Sequence, residues 1–179
     1  MSEQAPTPQT PSLEERIARL EDIQAIGQLR ARYCQALDDG HWDALADTFT
    51  ADGAFVGLST ARGREEMLEF FPKLNSTTVT SWWHFSSNET VDLNGDSATG
   101  TTWLLQPCVV EGESQLAAGR YDDTMVRTAE GWRFTERKVS FFFWSSLEAG
   151  WDAARFSFPP ATGAADARTM ERVENAQSV

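Results

Sequence analysis

The feature that most constrains this chain is the dipeptide Asn94-Gly95, set between two long runs of strand-forming residues. Asn-Gly is the strongest short hairpin signal, because its residues accept the positive φ that a two-residue turn needs. Before it, Thr80 to Leu93 is rich in Thr, Trp, Phe and Val, and Thr99 to Val110 forms the return strand. Glu111-Gly112-Glu113 and Glu130-Gly131 then punctuate two more strands, Gln115 to Arg127 and Trp132 to Trp144. The second half of the chain is therefore read as a meander of long antiparallel strands.

The first half is helical in pattern. Ser12 and Glu15 form a capping box that opens a helix. Apolar residues recur at Leu13, Ile17, Leu20, Ile23, Ile26, Leu29 or Tyr33, and Leu37, which predicts one buried stripe. The stop falls at Asp38-Asp39-Gly40. A second helix is expected over His41 to Phe49, a strand over Ala54 to Leu58, and a third helix over Gly63 to Leu74, broken near Pro72. Helices followed by a meander make an α+β domain. A strongly bent sheet wrapped around the long helix buries its stripe and leaves a cavity between them, a natural small-molecule site.

The expected organisation is a disordered leader over residues 1–11, one domain over 12–145, and a tail over 146–179. The first part of that tail, through Phe158, is aromatic enough to pack over the pocket or a neighbouring subunit. The leader carries three prolines and no apolar run, so it is not a signal-peptide core. No apolar stretch reaches the length of about 18 residues that spans a bilayer.

Charge and the scarce residue types narrow the chemistry. With 15 Lys+Arg against 27 Asp+Glu, the net charge is −12, which disfavours nucleic acid and anionic membrane surfaces as partners. Cys34 and Cys108 are the only cysteines, too few for a disulfide framework and wrongly spaced for zinc. The only histidines are His41 and His84, so most multi-histidine metal centres are excluded and no metal or cofactor is expected. Seven Trp and eleven Phe describe an aromatic interior. The composition reads as a cytoplasmic domain with one or two polar groups able to do chemistry.

A two-residue loop at Asn94-Gly95 pairs Leu93 with Asp96 and fixes a register. His84 then lies opposite Leu105, Ser86 opposite Trp103, and Trp82 opposite Pro107. This places His84 on one face with Trp82, Trp103 and Leu105, and puts Trp83, Phe85, Leu104 and Gln106 on the other. Two readings of His84 stand: a structural histidine bonded to a backbone carbonyl, or a base paired with a helix-end carboxylate. Asp38 and its neighbour Asp39 both compete for that pairing. On the last strand Arg133, Thr135, Arg137, Val139, Phe141 and Phe143 share a face. Arg137 is either a solvated edge cation or one that projects into the cavity. Tyr33 lies five residues before Asp38, about 140° around a regular helix, so spacing alone does not put them on one face. Cys34 reads as a small buried hydrophobe, and His41 as exposed.

The segment "RARYCQALDDGHWDALADTFTADGAF" resembles the start of SnoaL-like domains of the nuclear transport factor 2-like superfamily. The later "GRYDDTMVRTAEGWRFTERKVSFFF" is similar to the closing strands of that family. The resemblance implies a cone-shaped α+β fold, with a curved antiparallel sheet wrapped around the N-terminal helix. Within the family, the dehydratases and the hexachlorocyclohexane dehydrochlorinase look most similar, and both eliminate HX with a His–Asp dyad. The resemblance carries His84 and Asp38 over as that dyad, with Tyr33 as a hydrogen-bond donor and Arg137 as an anion stabiliser. Trp82, Trp103, Leu105, Phe141 and Phe143 are then expected as substrate-binding walls.

Departures remain. Scytalone dehydratase-like members carry a second histidine on the return strand, where this chain offers Trp103, Leu105 or Gln106. The dehydrochlorinase has a lysine where Tyr33 stands. The expectation is a small cofactor-independent lyase for a hydrophobic cyclic substrate. The alternatives are a ketosteroid-isomerase-like isomerase, an apolar-ligand-binding module, or a dioxygenase β-subunit-like structural protein. A homo-oligomer is expected, a trimer or else a dimer, through the outward aromatics Trp83 and Phe85.

Overall fold

The computed structural model describes residues 11–148; the proposed leader lies almost wholly outside them, as does the tail from residue 149. Helix α1 (Leu13–Asp38) opens with the anticipated capping box: Ser12 Oγ accepts from the Glu15 amide at 3.1 Å, and Glu15 Oε2 accepts from the Ser12 amide at 2.7 Å. It is followed by α2 (Trp42–Ala46), β1 (Phe49–Val56), β2 (Thr60–Arg62), α3 (Gly63–Thr77), β3 (Val79–Trp82), β4 (Phe85–Asn94), β5 (Ser97–Val110), β6 (Glu113–Thr128) and β7 (Gly131–Ser146). The sheet runs β2-β1-β7-β6-β5-β3, with β4 also on β5. It curls as a half-barrel around α1, as the α+β reading requires. It is mixed rather than purely antiparallel, because β1 runs parallel to β7.

Only the second half of the apolar stripe on α1 is buried. Ile26, Leu29, Tyr33 and Leu37 are in the core, whereas Leu13, Ile17, Leu20 and Ile23 are 68%, 46%, 65% and 36% exposed. A periodic pattern shows that a helix has a face, but not how far the sheet reaches along it. Asp22 ties the projecting part down: it accepts from Arg127 Nη2 at 2.6 Å and from Trp132 Nε1 at 3.1 Å. The second helix is shorter than expected and ends at Ala46, because Phe49 already belongs to β1. Pro72 does not end α3, which continues to Thr77. The proline removes one amide donor without preventing the turns that follow.

The hairpin differs from expectation in two steps, with consequences for the site. Asn94 pairs with Ser97, so Gly95-Asp96 forms the turn and the register moves by two. A two-residue shift leaves every side chain on its face. A bulge between Ser87 and Thr90 then moves the register by one, and all faces beyond it flip. Asn88 sits there at φ 51°, a left-handed conformation that asparagine tolerates. Thr102, Leu104, Gln106, Cys108 and Val110 therefore point inward along β5. Trp103 and Leu105, expected in the pocket, lie on the outer face at 40% and 42% exposure beside the exposed Trp83 and Phe85.

β7 carries two irregularities of its own against β6, between Ala118 and Gly119 and between Thr124 and Met125. They skip Phe142 and Thr135. The inward row becomes Trp132, Phe134, Arg137, Val139, Phe141 and Trp144. Arg133 and Thr135 do not share the face of Arg137. Phe143 pairs with Ala118, is half-buried, and is replaced in the pocket wall by Trp144.

Candidate active site

The strand expected over Thr80 to Leu93 is interrupted at Trp83-His84. The cause lies on the neighbouring strand. Trp83 donates its amide to the Pro107 carbonyl at 3.1 Å, but Pro107 has no N–H to return the bond. The ladder lapses there, between the Trp82–Cys108 and Phe85–Leu105 pairs. Those pairs bracket His84 opposite Gln106, on the inward face.

At this gap the end of α1 meets His84. Asp38 Oδ1 lies 2.5 Å from His84 Nδ1, and Asp38 Oδ2 accepts from the His84 backbone amide at 3.0 Å. Both carboxylate oxygens are thus engaged with one residue, which fixes ring position and leaves Nε2 uncommitted. Trp82 braces the junction: its Nε1 donates to the Leu37 carbonyl at 3.1 Å, and its ring stands edge-on to the imidazole at 5.9 Å. The partner is Asp38, not Asp39, which is exposed. His41 is exposed too, at the start of α2.

Inside the curl is a cavity with about 430 Å³ free of protein atoms, its mouth included. His84 and Gln106 line it, as do Tyr33 and Tyr121. Its walls are Trp82, Phe141, Val139 and Trp144 from the sheet, and Phe70 and Phe71 from α3. A largely apolar lining with few polar groups is the usual chemistry of small-molecule sites. Tyr33 and Asp38 need not share a helix face: Tyr33 lines the cavity, while Asp38 reaches His84 from the helix end.

Arg137 is neither solvated nor among the described cavity-lining residues. It occupies the inward position before Val139, one layer deeper, and is fully buried. Its guanidinium carbon stands 4.4, 3.9 and 4.6 Å from the ring centres of Tyr33, Tyr121 and Phe134. Its Nε is 3.5 Å from Asp123 Oδ1, beyond good hydrogen-bond reach, and its nitrogens have no hydrogen-bond partner among the described residues. Burial works against its charge, but the Asp123 carboxylate, foremost among the opposing influences, carries its pKa above the usual arginine range. Asp123 Oδ2 also accepts from Arg30 Nε at 2.9 Å. Arg30 in turn reaches Glu89 Oε2 at 3.0 Å and the Thr90 carbonyl at 3.2 Å, pinning the β4 bulge. Two buried cations are thus matched by Asp123 and the half-exposed Glu89.

Burial raises the pKa of Tyr33 and Tyr121 well above the ordinary phenol, so both remain neutral hydroxyls. The Tyr33 hydroxyl has no hydrogen-bond partner among the described residues. Burial also raises the thiol of Cys34, and pushes that of Cys108 to about 12. Among the described residues no group of His, Cys, Asp or Glu side chains could hold a metal ion. No described helix is long and apolar enough to cross a membrane.

The sequence placed Tyr33, Asp38, His84, Trp82, Phe141 and Arg137 as candidates; all but Arg137 meet at or directly beside the cavity. It did not single out Tyr121, Asp123 or Arg30. Trp103, Leu105 and Phe143 were assigned to the wrong face. Only the bulges would have corrected those faces, and the one local cue was Asn88, a residue suited to positive φ.

The family description "SnoaL-like domain" matches residues 18–138. An uncharacterized protein of Mycobacterium tuberculosis is 30% identical over 126 residues, covering 68% of this chain and 86% of the relative. Among solved structures, a candidate scytalone dehydratase from Novosphingobium aromaticivorans superposes with a TM-score of 0.66 at 22% identity, covering 73% of this chain and 90% of that one. The hexachlorocyclohexane dehydrochlorinase LinA-type3 from Novosphingobium barchaimii gives 0.70 at 20% identity, covering 80% and 99%. Identities this low establish the shared fold alone.

Proposed function

We propose, from the premise that the chain belongs to the SnoaL-like domain family, that it is a small lyase acting on a hydrophobic cyclic substrate, with His84 as general base. The observation that carries this reading is the engagement of both Asp38 oxygens with His84 beside an apolar cavity. Asp38 holds Nδ1, so the basic Nε2 lone pair is presented to the substrate, and it stabilises the imidazolium that forms. His84 takes a proton from carbon, the C–H pair forms the new double bond, and the leaving group departs with its own bonding pair. Where that group is hydroxide, the imidazolium returns the proton and water is released.

Tyr33 donates a hydrogen bond to the substrate. Arg137 acts as a fixed positive charge beneath Tyr33 and Tyr121, lowering the energy of negative charge in the cavity. Trp82 and Phe141 form the apolar walls. The reaction needs no cofactor, since base and counter-charge are both side chains. The exposed Trp83, Phe85, Trp103 and Leu105 support assembly of copies through the outer sheet face, as a trimer. A cytoplasmic location is part of the same reading, and so is a tail that packs over the pocket or a neighbour.

The test is solvent-deuterium exchange at the carbon next to the carbonyl of 1-indanone, followed by NMR. The protein accelerates exchange, and His84→Ala or Asp38→Asn loses about 10²–10⁴-fold. Exchange by either variant at the unaltered rate would falsify the dyad.

A further inference from the structure

Gln106 is the most unusual side chain on the inner face of β5. Its inward neighbours are Leu104 and Cys108, and it is itself 4% exposed. It lines the cavity, yet its amide makes no hydrogen bond among the described residues. An amide that faces an apolar cavity without protein partners is less favourable than one that is satisfied. An apolar residue at this position would pack without that penalty.

The Tyr121 hydroxyl, on the neighbouring strand β6 and lining the same cavity, also makes no hydrogen bond among the described residues. Nor does that of Tyr33. Three polar groups therefore converge on one apolar cavity with their hydrogen-bonding capacity unused. Their grouping marks where a ligand supplies the partners.

We infer that Gln106, with Tyr121, is the specificity determinant of this cavity, and that it selects a ring compound bearing a carbonyl next to the carbon that loses its proton. The inference rests on the reading of the cavity as the substrate site. The register supplies the geometry. His84, in the gap between β3 and β4, is bracketed by the Trp82–Cys108 and Phe85–Leu105 pairs and so lies opposite Gln106 on the inward face, and residues opposite one another on a sheet have Cβ atoms about 5 Å apart. An oxygen held by the Gln106 amide thus sits beside the C–H that His84 Nε2 can reach. As the proton leaves, charge moves onto that oxygen, where the Gln106 N–H and the Tyr121 O–H donate to it. Gln106 also offers its own carbonyl as an acceptor, which a hydroxyl on the same ring can use. A halogenated hydrocarbon satisfies neither requirement and leaves the polar groups unpaired. Sites built to hydrogen-bond an oxygen reject analogues that lack it more strongly than apolar pockets reject a change in size.

The test uses 1-indanone and indane, which share one ring skeleton and differ at the carbonyl. Ligand-observed NMR titration of the full chain gives both affinities. The expected result is that 1-indanone binds about tenfold or more tightly than indane, although indane is the more averse to water. Gln106→Leu reverses the order, losing the ketone and gaining the hydrocarbon. In the unaltered protein the carbonyl stretch of bound 1-indanone moves to lower frequency, a reading that requires no variant to fold. Equal affinities, a preference unchanged in Gln106→Leu, or an unshifted stretch each overturn the inference. Deuterium exchange keeps the two readings separable. A protein that prefers the ketone but does not exchange its proton contradicts the role of His84 alone. A protein that exchanges without preference contradicts the role of Gln106 alone.

Discussion

Asp123→Asn removes the one fully buried carboxylate among the described residues and leaves two buried cations to be accommodated. The structure allows the loss to be apportioned. Arg30 keeps Glu89 at 3.0 Å and the Thr90 carbonyl at 3.2 Å. Arg137 keeps only its three aromatic rings, since Asp123 is the sole carboxylate within ion-pair distance of it among the described residues. Removing one partner of a buried pair costs about 3–5 kcal/mol, because the orphaned charge stays buried. Ring contacts offset on the order of 1–2 kcal/mol of such a loss and were already present in the parent. In a chain of this size, each kcal/mol lowers the melting temperature by about 2–4 °C, so a drop of roughly 6–20 °C is expected. Calorimetry and urea unfolding with a shared denatured baseline measure it. The double variant Asp123→Asn/Arg137→Met also removes the stranded charge and should recover part of the loss. If the single variant unfolds within about 1 kcal/mol of the parent, or if the double variant is less stable than the single, the reasoning about an orphaned cation is refuted.

Three other outcomes are expected. A Cβ at Gly100 would collide with the Thr90 carbonyl oxygen and stand 2.8 Å from Arg30 Nη2. Gly100→Ala should therefore destabilise by about 1–3 kcal/mol or more, read from the urea midpoint. The carboxyls of Asp22, through its bond to Arg127, and of Glu15, through the Ser12 amide, are held below their ordinary pKa. Groups depressed in the folded state stabilise above the ordinary carboxylate value and lose that effect as pH falls through the folded value. Protection of the amides over residues 13–25, taken relative to their intrinsic exchange rates, should thus fall below about pH 4 before the sheet opens. Cys34 and Cys108 are buried with raised thiol pKa values. Iodoacetamide at neutral pH should leave both unmodified in the native protein and label both in denaturant, as intact-mass measurement will show.

The architecture was legible because its signals are local and repeated: a capping box, a 3.6-residue stripe, and Gly-containing turns at regular intervals. Faces were less legible, because a face is a parity and each bulge inverts it. Trp103, Leu105 and Phe143 were misplaced for that reason, while Trp82 and Phe141 kept their faces because no bulge separates Trp82 from His84 or Phe141 from Arg137. Asp38 and His84 could be named from the family resemblance, but not from spacing, since one ends a helix and the other sits in a gap between strands. The gap depends on Pro107, a residue on another strand, and no window around His84 contains that information. Arg137 was opaque for a related reason. Its burial depends on Asp123 and on aromatic rings from α1, β6 and β7, none of them adjacent to it in sequence.

The pairing of Asp38 with His84 joins positions 46 residues apart, and that of Arg30 with Asp123 joins positions 93 apart. Neither can close within a single hairpin. Each waits until the meander has wrapped the helix, and closing such large loops is slow compared with forming a local turn. Any activity that depends on Nε2 of His84 is therefore a clock for the end of folding. During refolding, secondary structure should return first, and turnover should appear only in the phase in which helix and sheet become one body.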